Sequence, residues 1–501
     1  VAGQPRQREG QQDFSAGMFR GVAPSLIPAN GAYDIVGLLE EDGAVAGRGG
    51  SSARSTSDTA SGVEGMWDGF VGSTRLTVFW STAHALYTLN DDDTVTNRGA
   101  MDPDAVIIAP AAIGGKLYFP AEKVTTPGSG VTFDGTTFGA WTIPAGIDVT
   151  REFHVAVAGN RLWVGQDETL VFSDRDTPGT FQATSIHKIN GGKILRLVGF
   201  RDSLVAFTTR GVWRLSNIVY NLTDSVGNVQ HRIDQMSQDV VPWLGRGVVT
   251  WAGGLIVAAL DGVWELPLGV QGEPLAQFTR ISDGIATYYR SFAQGPGQGA
   301  VYRGHLLLPM AGQGSPNEVL VCRLDQRGRP WARMGGDNEG VNAMGVLLTR
   351  VPAAANEEPE LLGAFANESA TNGKRILDVN WFDAASDQSD ADGGTPVCKV
   401  TTRDIPTGPF NVSTAVKVRL SYELEGASAS IGASWSVGSV DDPTSSALSG
   451  SAPEDPEGVD SYSWSLRKRC KFIRYTFTSS GAFSRLKIRA IESFSRGSAR
   501  S

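Results

Sequence analysis

Gly159-Asn-Arg-Leu-Trp-Val164, followed by Leu170-Val-Phe172, sets the pattern of this chain: a turn, a short apolar strand, a polar break, then a second apolar strand carrying an aromatic. Gly and Asn supply the turn, and each apolar run has the length of a strand buried on both faces. The phrase returns about seven times between residues 74 and 382, with copies beginning at Arg75, Gly115, Gly159, Arg201, Gly253, Arg303 and Glu360. The clearest repeats are Arg201-Asp-Ser-Leu-Val-Ala-Phe207 before Gly211-Val-Trp-Arg-Leu215, and Gly253-Gly-Leu-Ile-Val-Ala-Ala259 before Gly262-Val-Trp-Glu-Leu266. Their spacing is close to the roughly 40–50 residues of one four-stranded propeller blade, widening toward the later copies. The pattern therefore predicts an all-β chain with a β-propeller of about seven blade-like repeats. Two ordinary β-sandwiches with repetitive strands would produce similar phrases and remain the alternative.

Around this core the chain changes grammar twice. Residues 1–62 read as an extended N-terminal arm: Arg6, Arg8 and Arg20 flank polar sequence, and Gly47 to Ser61 is almost wholly small or polar, so the stretch cannot bury a core of its own. It needs another surface to become ordered. The propeller is expected over 63–385, ending in an Asp/Ser/Gly-rich linker, Asp383 to Thr395. From 386 to 501 the strands alternate apolar and polar, as in Ala415-Val-Lys-Val-Arg-Leu-Ser-Tyr422 and Lys471-Phe-Ile-Arg-Tyr-Thr-Phe477. Half-buried antiparallel strands have that alternation, which predicts a C-terminal β-sandwich with a basic tail.

Composition excludes several classes. The net charge of −9 argues against a general nucleic-acid-binding surface. The acidic runs Glu40-Glu41-Asp42, Asp91-Asp92-Asp93, Asp387 to Asp392 and Glu454-Asp455 read as solvated loops, with the lining of a channel for a passing polyanion as the alternative. No apolar run is long enough for a transmembrane helix. The first residues lack the apolar core of a signal peptide, and the absence of an initial Met is read as trimming or as numbering that starts inside the gene product. Three separated cysteines, Cys322, Cys398 and Cys470, fit a reducing cytoplasm rather than a disulfide framework.

Catalytic patterns are missing. His84, His154, His187, His231 and His305 are never at ligand spacing, so no metal or other cofactor is expected. There is no Gly-x-Ser-x-Gly elbow and no phosphate-binding Gly-rich loop. Phe172-Ser-Asp-Arg-Asp-Thr-Pro-Gly-Thr-Phe181 resembles the Asp-box turn of sialidase propellers, which is structural even there. In it Ser173 and Asp176 are expected to bind backbone amides, Pro178-Gly179 to reverse the chain, and Phe181 to cover the blade. Glycan hydrolysis would also need an arginine cluster and a Tyr backed by a carboxylate, for which Tyr288, Tyr289 and Arg290 offer parts. The chain is therefore read as a non-enzyme. Arg467, Lys468, Arg469, Lys471 and Arg474 form a basic stretch within an acidic protein. Positive residues that blunt a strand edge are one reading, and a docking surface for an acidic neighbour is the other.

The order of phrases from Ser25 to Ile491 resembles the tail hub, or nozzle, proteins of short-tailed bacteriophages. The likeness runs through Ser25-Leu-Ile-Pro-Ala-Asn-Gly-Ala-Tyr-Asp34, Glu41-Asp-Gly-Ala-Val45, Arg48-Gly-Gly-Ser51, Phe172 to Phe181, Val198 to Phe207, Ile281-Ser-Asp-Gly-Ile285, Tyr289-Arg-Ser-Phe292 and Phe483 to Ile491. The departures are the polar arm, a Gly/Pro-rich insertion at Gln294 to Gly299 and a loop from Asp441 to Gly458. The resemblance implies a structural virion protein, assembled in the host bacterial cytoplasm into a homo-oligomeric ring, expected to be a hexamer. Such a ring sits below the portal and adaptor proteins, carries tail fibres or spikes, and retains and then conducts viral DNA without sequence-specific binding. A phage adsorption or fibre-base propeller that binds host glycans is the alternative, with a glycan-cleaving propeller enzyme behind it.

Overall fold

The computed structural model describes residues 7–497 apart from 12, 21–22, 24–25, 37, 42–43, 48–50, 56–60, 102–108, 122–128, 201, 219–230, 244–245, 252–253, 269–276, 293–295, 311–317, 327, 335–344, 351–357, 365–375, 383–397, 408–412, 426–428, 438–445, 454, 471 and 482–484. The 383–395 linker, the acidic run at 387–392 and part of the insertion at 294–299 lie outside the described residues. The fold is all-β, built of many small antiparallel sheets with, among the described residues, one short α-helix, Ala286–Tyr289.

Seven four-stranded meanders follow one another along the chain. Numbered in order, sheets one to six cover residues 63–100, 111–142, 154–188, 194–237, 248–280 and 300–334; sheet seven covers 346–379 and takes its fourth strand, Ser51–Ala53, from near the N-terminus. That strand pairs antiparallel with Leu377–Val379, with Ser51 opposite Val379.

The hairpins follow the sequence phrases. Between His154–Ala158 and Arg161–Gln166 the turn is Gly159-Asn160, with φ of +60° and +56°. A two-residue hairpin whose twist matches its strands needs positive φ at both central positions, and Gly and Asn pay least for it.

Continuous apolar runs arise because each middle strand feeds two cores. In Ser203–Thr208, Leu204 and Ala206 pack toward sheet three with Trp163 and Phe172, while Val205 and Phe207 pack toward sheet five with Leu255 and Val257. One sheet on, Ile256 and Ala258 of Gly254–Ala259 turn to Leu306 and Leu308 of sheet six. Leu307 faces the other way, to Leu347 and Leu361 of sheet seven. Sheets one and two share Val78, Trp80, Leu117 and Phe133. Sheets two and three share Trp141, Phe153 and Leu162. Sheet seven then packs on sheet one through Val346, Leu362, Val63 and Phe79. Each sheet thus buries both faces, which is why alternation is lost where the strands are most central. Last strands such as Thr177–Lys188 are largely exposed.

Gly17–Met18 and Gly31–Ala32 form a small parallel pair, and the other remaining strands form two larger sheets around one core. Asp455–Cys470, Ser413–Glu425, Arg485–Gly497, Ala44–Gly47 and Leu38–Glu41 lie side by side, with Gln7–Gln11 also on Arg485–Gly497. Facing them, Asp34–Val36, Lys399–Thr401, Phe472–Ser480, Ser430–Ser436 and Ser446–Ala447 continue sheet six, because Val36 pairs with Arg333. Val418, Leu420, Trp464 and Ile488 pack against Val400, Ile431, Tyr475 and Phe477. The stretch read as an arm therefore contributes strands to this pair of sheets and to sheet seven. Strand Asp455–Cys470 overlaps the loop expected at 441–458 and extends well beyond it.

Candidate functional site

Where the N-terminal strands meet sheet six, a cluster of charges is buried. Arg333 donates from Nε and Nη2 to the Asp34 carboxylate, both at 2.9 Å, and from Nη1 to Glu318. Tyr288 donates its hydroxyl to the other oxygen of Glu318, and the Arg20 guanidinium lies 4.2 Å over the Tyr288 ring. Burial raises the Asp34 carboxyl, but the charge and hydrogen bonds of Arg333, aided by Arg20, outweigh it and hold the group below the usual carboxylate range. For Glu318 burial wins over Arg333 and the carboxyl is raised. Burial also pushes the Tyr288 phenol well above its ordinary value.

This cluster assembles some parts that a sialidase-type site would require, a tyrosine on a carboxylate beside arginines. Its chemistry points elsewhere. A nucleophilic phenol must lose its proton, and this one is held protonated; the Arg333 donors face Asp34 and Glu318 rather than open space. Tyr289 is fully buried with its hydroxyl on the Ala259 carbonyl at 2.9 Å, and Arg290 is exposed. The arrangement is a buried tie between segments distant in sequence.

At the Asp-box-like turn, Ser173 accepts the Leu162 amide at 3.0 Å, as its place in the motif suggests. The chain reverses three residues earlier than Pro178-Gly179, at Arg175-Asp176: Asp174 pairs with Thr177, and Asp176 occupies the left-handed region at φ +59°. Asp tolerates that region, so Pro178 and Gly179 are left inside the following strand. The Asp176 amide, rather than its carboxylate, is the tie, donating to the Asn160 carbonyl at 2.9 Å. Phe181 packs beside Trp141, with ring centres 6.2 Å apart. Nothing around Gly179 would obstruct a side chain.

The basic stretch divides. Arg474 is buried, pairs with Asp404 at 2.8 Å and lies 4.8 Å over Tyr33. Lys468 covers the Trp435 ring at 4.9 Å. Arg467 and Arg469 are exposed on the edge strand, and Lys471 lies outside the described residues. Thr414 pairs with both Arg469 and Arg496, so those two arginines share a face. Lys417, Arg467 and Arg496 line an open groove of about 450 Å³ on that sheet. A surface of this sign on an acidic chain can hold an acidic partner.

Two features escape sequence reading. His187 Nε2 and His231 Nδ1, 44 residues apart, lie 2.8 Å from each other beside the packed rings of Trp163 and Phe172. Burial pushes the His231 imidazole down to about 4, with His187 and Arg161 adding to the effect. No third ligand joins them: among the described residues no group of three His, Cys, Asp or Glu could hold a metal ion. The acidic run at 91–93 is tied across to sheet seven, with Asp91 on Arg350 at 3.0 Å, while Asp93 meets Arg54 at 2.7 Å. No helix among the described residues is long and apolar enough to cross a membrane.

No protein family and no curated protein matches the chain. Among solved structures, the computationally designed Ika8 protein aligns with 66% of this chain and 100% of its own length, at 11% identity and a TM-score of 0.37. A likeness that loose carries neither fold nor function across.

Proposed function

We propose that the seven meanders form a seven-bladed β-propeller joined to a β-sandwich, and that the chain is a structural protein of a short bacteriophage tail, forming a hub or nozzle ring. The observation that carries the propeller is the cycle of shared cores, in which the seventh sheet packs on the first. Radial sheets packed face to face resist deformation, which suits a part that must keep a bore open under load. The assignment to a phage tail rests on the resemblance of the ordered phrases from Ser25 to Ile491.

In this reading copies close a ring through a heterologous interface, expected to be hexameric, with portal and adaptor proteins above and fibres or spikes attached. The groove of Lys417, Arg467 and Arg496 is a docking surface for an acidic neighbour. The buried Arg333 cluster keeps the propeller and sandwich in fixed relation, so force on one reaches the other. Native mass measurement and electron microscopy of the purified full chain, alone and with detached virion components, test the idea. A six-fold ring with a bore wide enough for duplex DNA is expected. A monomer that stays monomeric beside adaptor proteins would overturn it.

A further inference from the structure

The first strands of the small sheets surround a cavity of about 340 Å³, with Glu64, Asp68, Arg196, Arg246, Gln298 and Thr349 on its wall. Most of these polar groups are already committed. Glu64 binds Arg246 at 2.6 Å. Asp68 is paired with Arg75 and accepts the Thr77 hydroxyl at 2.9 Å. Gln298 exchanges hydrogen bonds with the Met66 backbone at 2.7 and 3.0 Å, and the Thr349 hydroxyl donates to the Val301 carbonyl at 2.7 Å.

Arg196 is the exception. It has no ion pair among the described residues, and its Nε is sealed from solvent without a hydrogen-bond partner. Its neighbour His154 is held neutral by burial and could otherwise carry only a second positive charge, so it cannot balance the guanidinium. Burial without a partner lowers the Arg196 pKa to about 10, a large shift for a guanidinium. Arg246 neutralises Glu64, and Arg75, outside the lining, neutralises Asp68, so the Arg196 charge is left without a partner. Arg196 as a whole is half-buried with its Nε sealed, and a charge so placed is stabilised when something of opposite sign joins it.

We propose that the cavity is a binding site for a small oxyanion, a carboxylate or a phosphate group, received by the guanidinium of Arg196. The planar fork of arginine matches two acceptor oxygens in one plane, which chloride does not offer. The volume is at the lower end of small-molecule sites, enough for one anionic unit such as a sugar acid or free phosphate. The site needs no covalent step and is independent of the ring proposed above.

Thermal unfolding of the full chain at constant ionic strength, in chloride, phosphate, acetate or glucuronate, tests it, using wild type and Arg196→Gln. At saturating ligand the wild-type midpoint should rise by a few degrees, on the order of 3 °C, in phosphate or in the carboxylates but not in chloride. The rise should vanish in Arg196→Gln, which in chloride alone should melt higher than wild type because the uncompensated charge is gone. A response to phosphate alone identifies a phosphate site, and one to glucuronate above acetate identifies a sugar acid. Equal responses in wild type and variant, or none in wild type, would overturn the proposal. Should the variant fail to fold, wild-type crystals soaked in arsenate, an oxyanion of phosphate shape, or in 4-bromobenzoate, a carboxylate, decide it. An anomalous peak beside the Arg196 guanidinium in one of them is expected, and an empty cavity in both overturns the site.

Discussion

Asp34 and Arg333 show what a single buried residue holds together. Each is almost fully enclosed, and the guanidinium binds two carboxylates at once. Asp34→Asn leaves a buried arginine with half its countercharge, and breaking a buried pair from one side typically costs about 3–5 kcal/mol. Urea unfolding should show a loss of that size for Asp34→Asn, whereas a loss below about 1 kcal/mol would mean that water already screens the site. The buried imidazoles make a second residue-scale prediction. His154 and His231 are pushed by burial down to about 4, while an unfolded histidine takes its proton near pH 6.5, as an order of magnitude. Between those values the unfolded chain binds protons that the folded chain refuses. Stability is therefore fully present above the unfolded pKa and is lost as pH falls through this window. The melting temperature should drop between pH 6.5 and 4, and His231→Phe should flatten the drop; an unchanged slope would mean His231 is not the group responsible.

Among the elements, the N-terminal strands bear a load that local sequence barely announces. Ser51–Ala53 completes sheet seven, and Ala44–Gly47 and Gln7–Gln11 both lie on Arg485–Gly497. Deleting residues 1–54 should yield insoluble protein, because four sheets lose strands, the small pair of Gly17–Met18 and Gly31–Ala32 entirely, and the Arg333 cluster loses Asp34. A soluble, cooperatively melting truncation would show these strands to be accessory. Strands buried on both faces were legible, since runs such as Leu255-Ile-Val-Ala-Ala259 admit no polar side chain. The N-terminal strands read as an arm because their apolar residues come in runs of two or three, and the partners that tie them to the rest of the chain lie 297 residues away or more, as Val36 does from Arg333, where no local pattern reveals them. Strand Asp455–Cys470 was missed for a different reason. Serine and arginine fill its exposed positions, so Trp464 and Leu466 were the only apolar marks in Ser463-Trp-Ser-Leu-Arg467. Its edge position gives the exposed Arg467 and Arg469 a second consequence beside the proposed docking, since charge on an edge strand discourages edge-to-edge pairing with another chain. Arg467→Thr with Arg469→Thr should leave the melting temperature unchanged and raise light scattering on storage, and an unaltered scattering profile would leave these residues to docking alone.

At the scale of the whole molecule, one apolar core runs from sheets five and six through Phe14, Ile35 and Leu38 into the two larger sheets. The propeller and sandwich of the proposed architecture are therefore not beads on a linker. Chains of this length commonly unfold in stages, domain by domain. Here the stages would have to expose a shared interior and break a buried ionic cluster, so each half is stabilised only while the other is folded. Scanning calorimetry of the full chain should give one transition, with the calorimetric enthalpy close to the van't Hoff value. Asp34→Asn should move the whole peak rather than split off a shoulder. Residues 386–501 expressed alone should lack a cooperative transition, since Asp34–Val36, Leu38–Glu41 and Ala44–Gly47 would be absent from their sheets. Two resolved transitions in the full chain, with the lower one matched by the isolated C-terminal fragment, would show two independent bodies. In that case a rigid ring would need its stiffness from contacts between subunits rather than from within each chain.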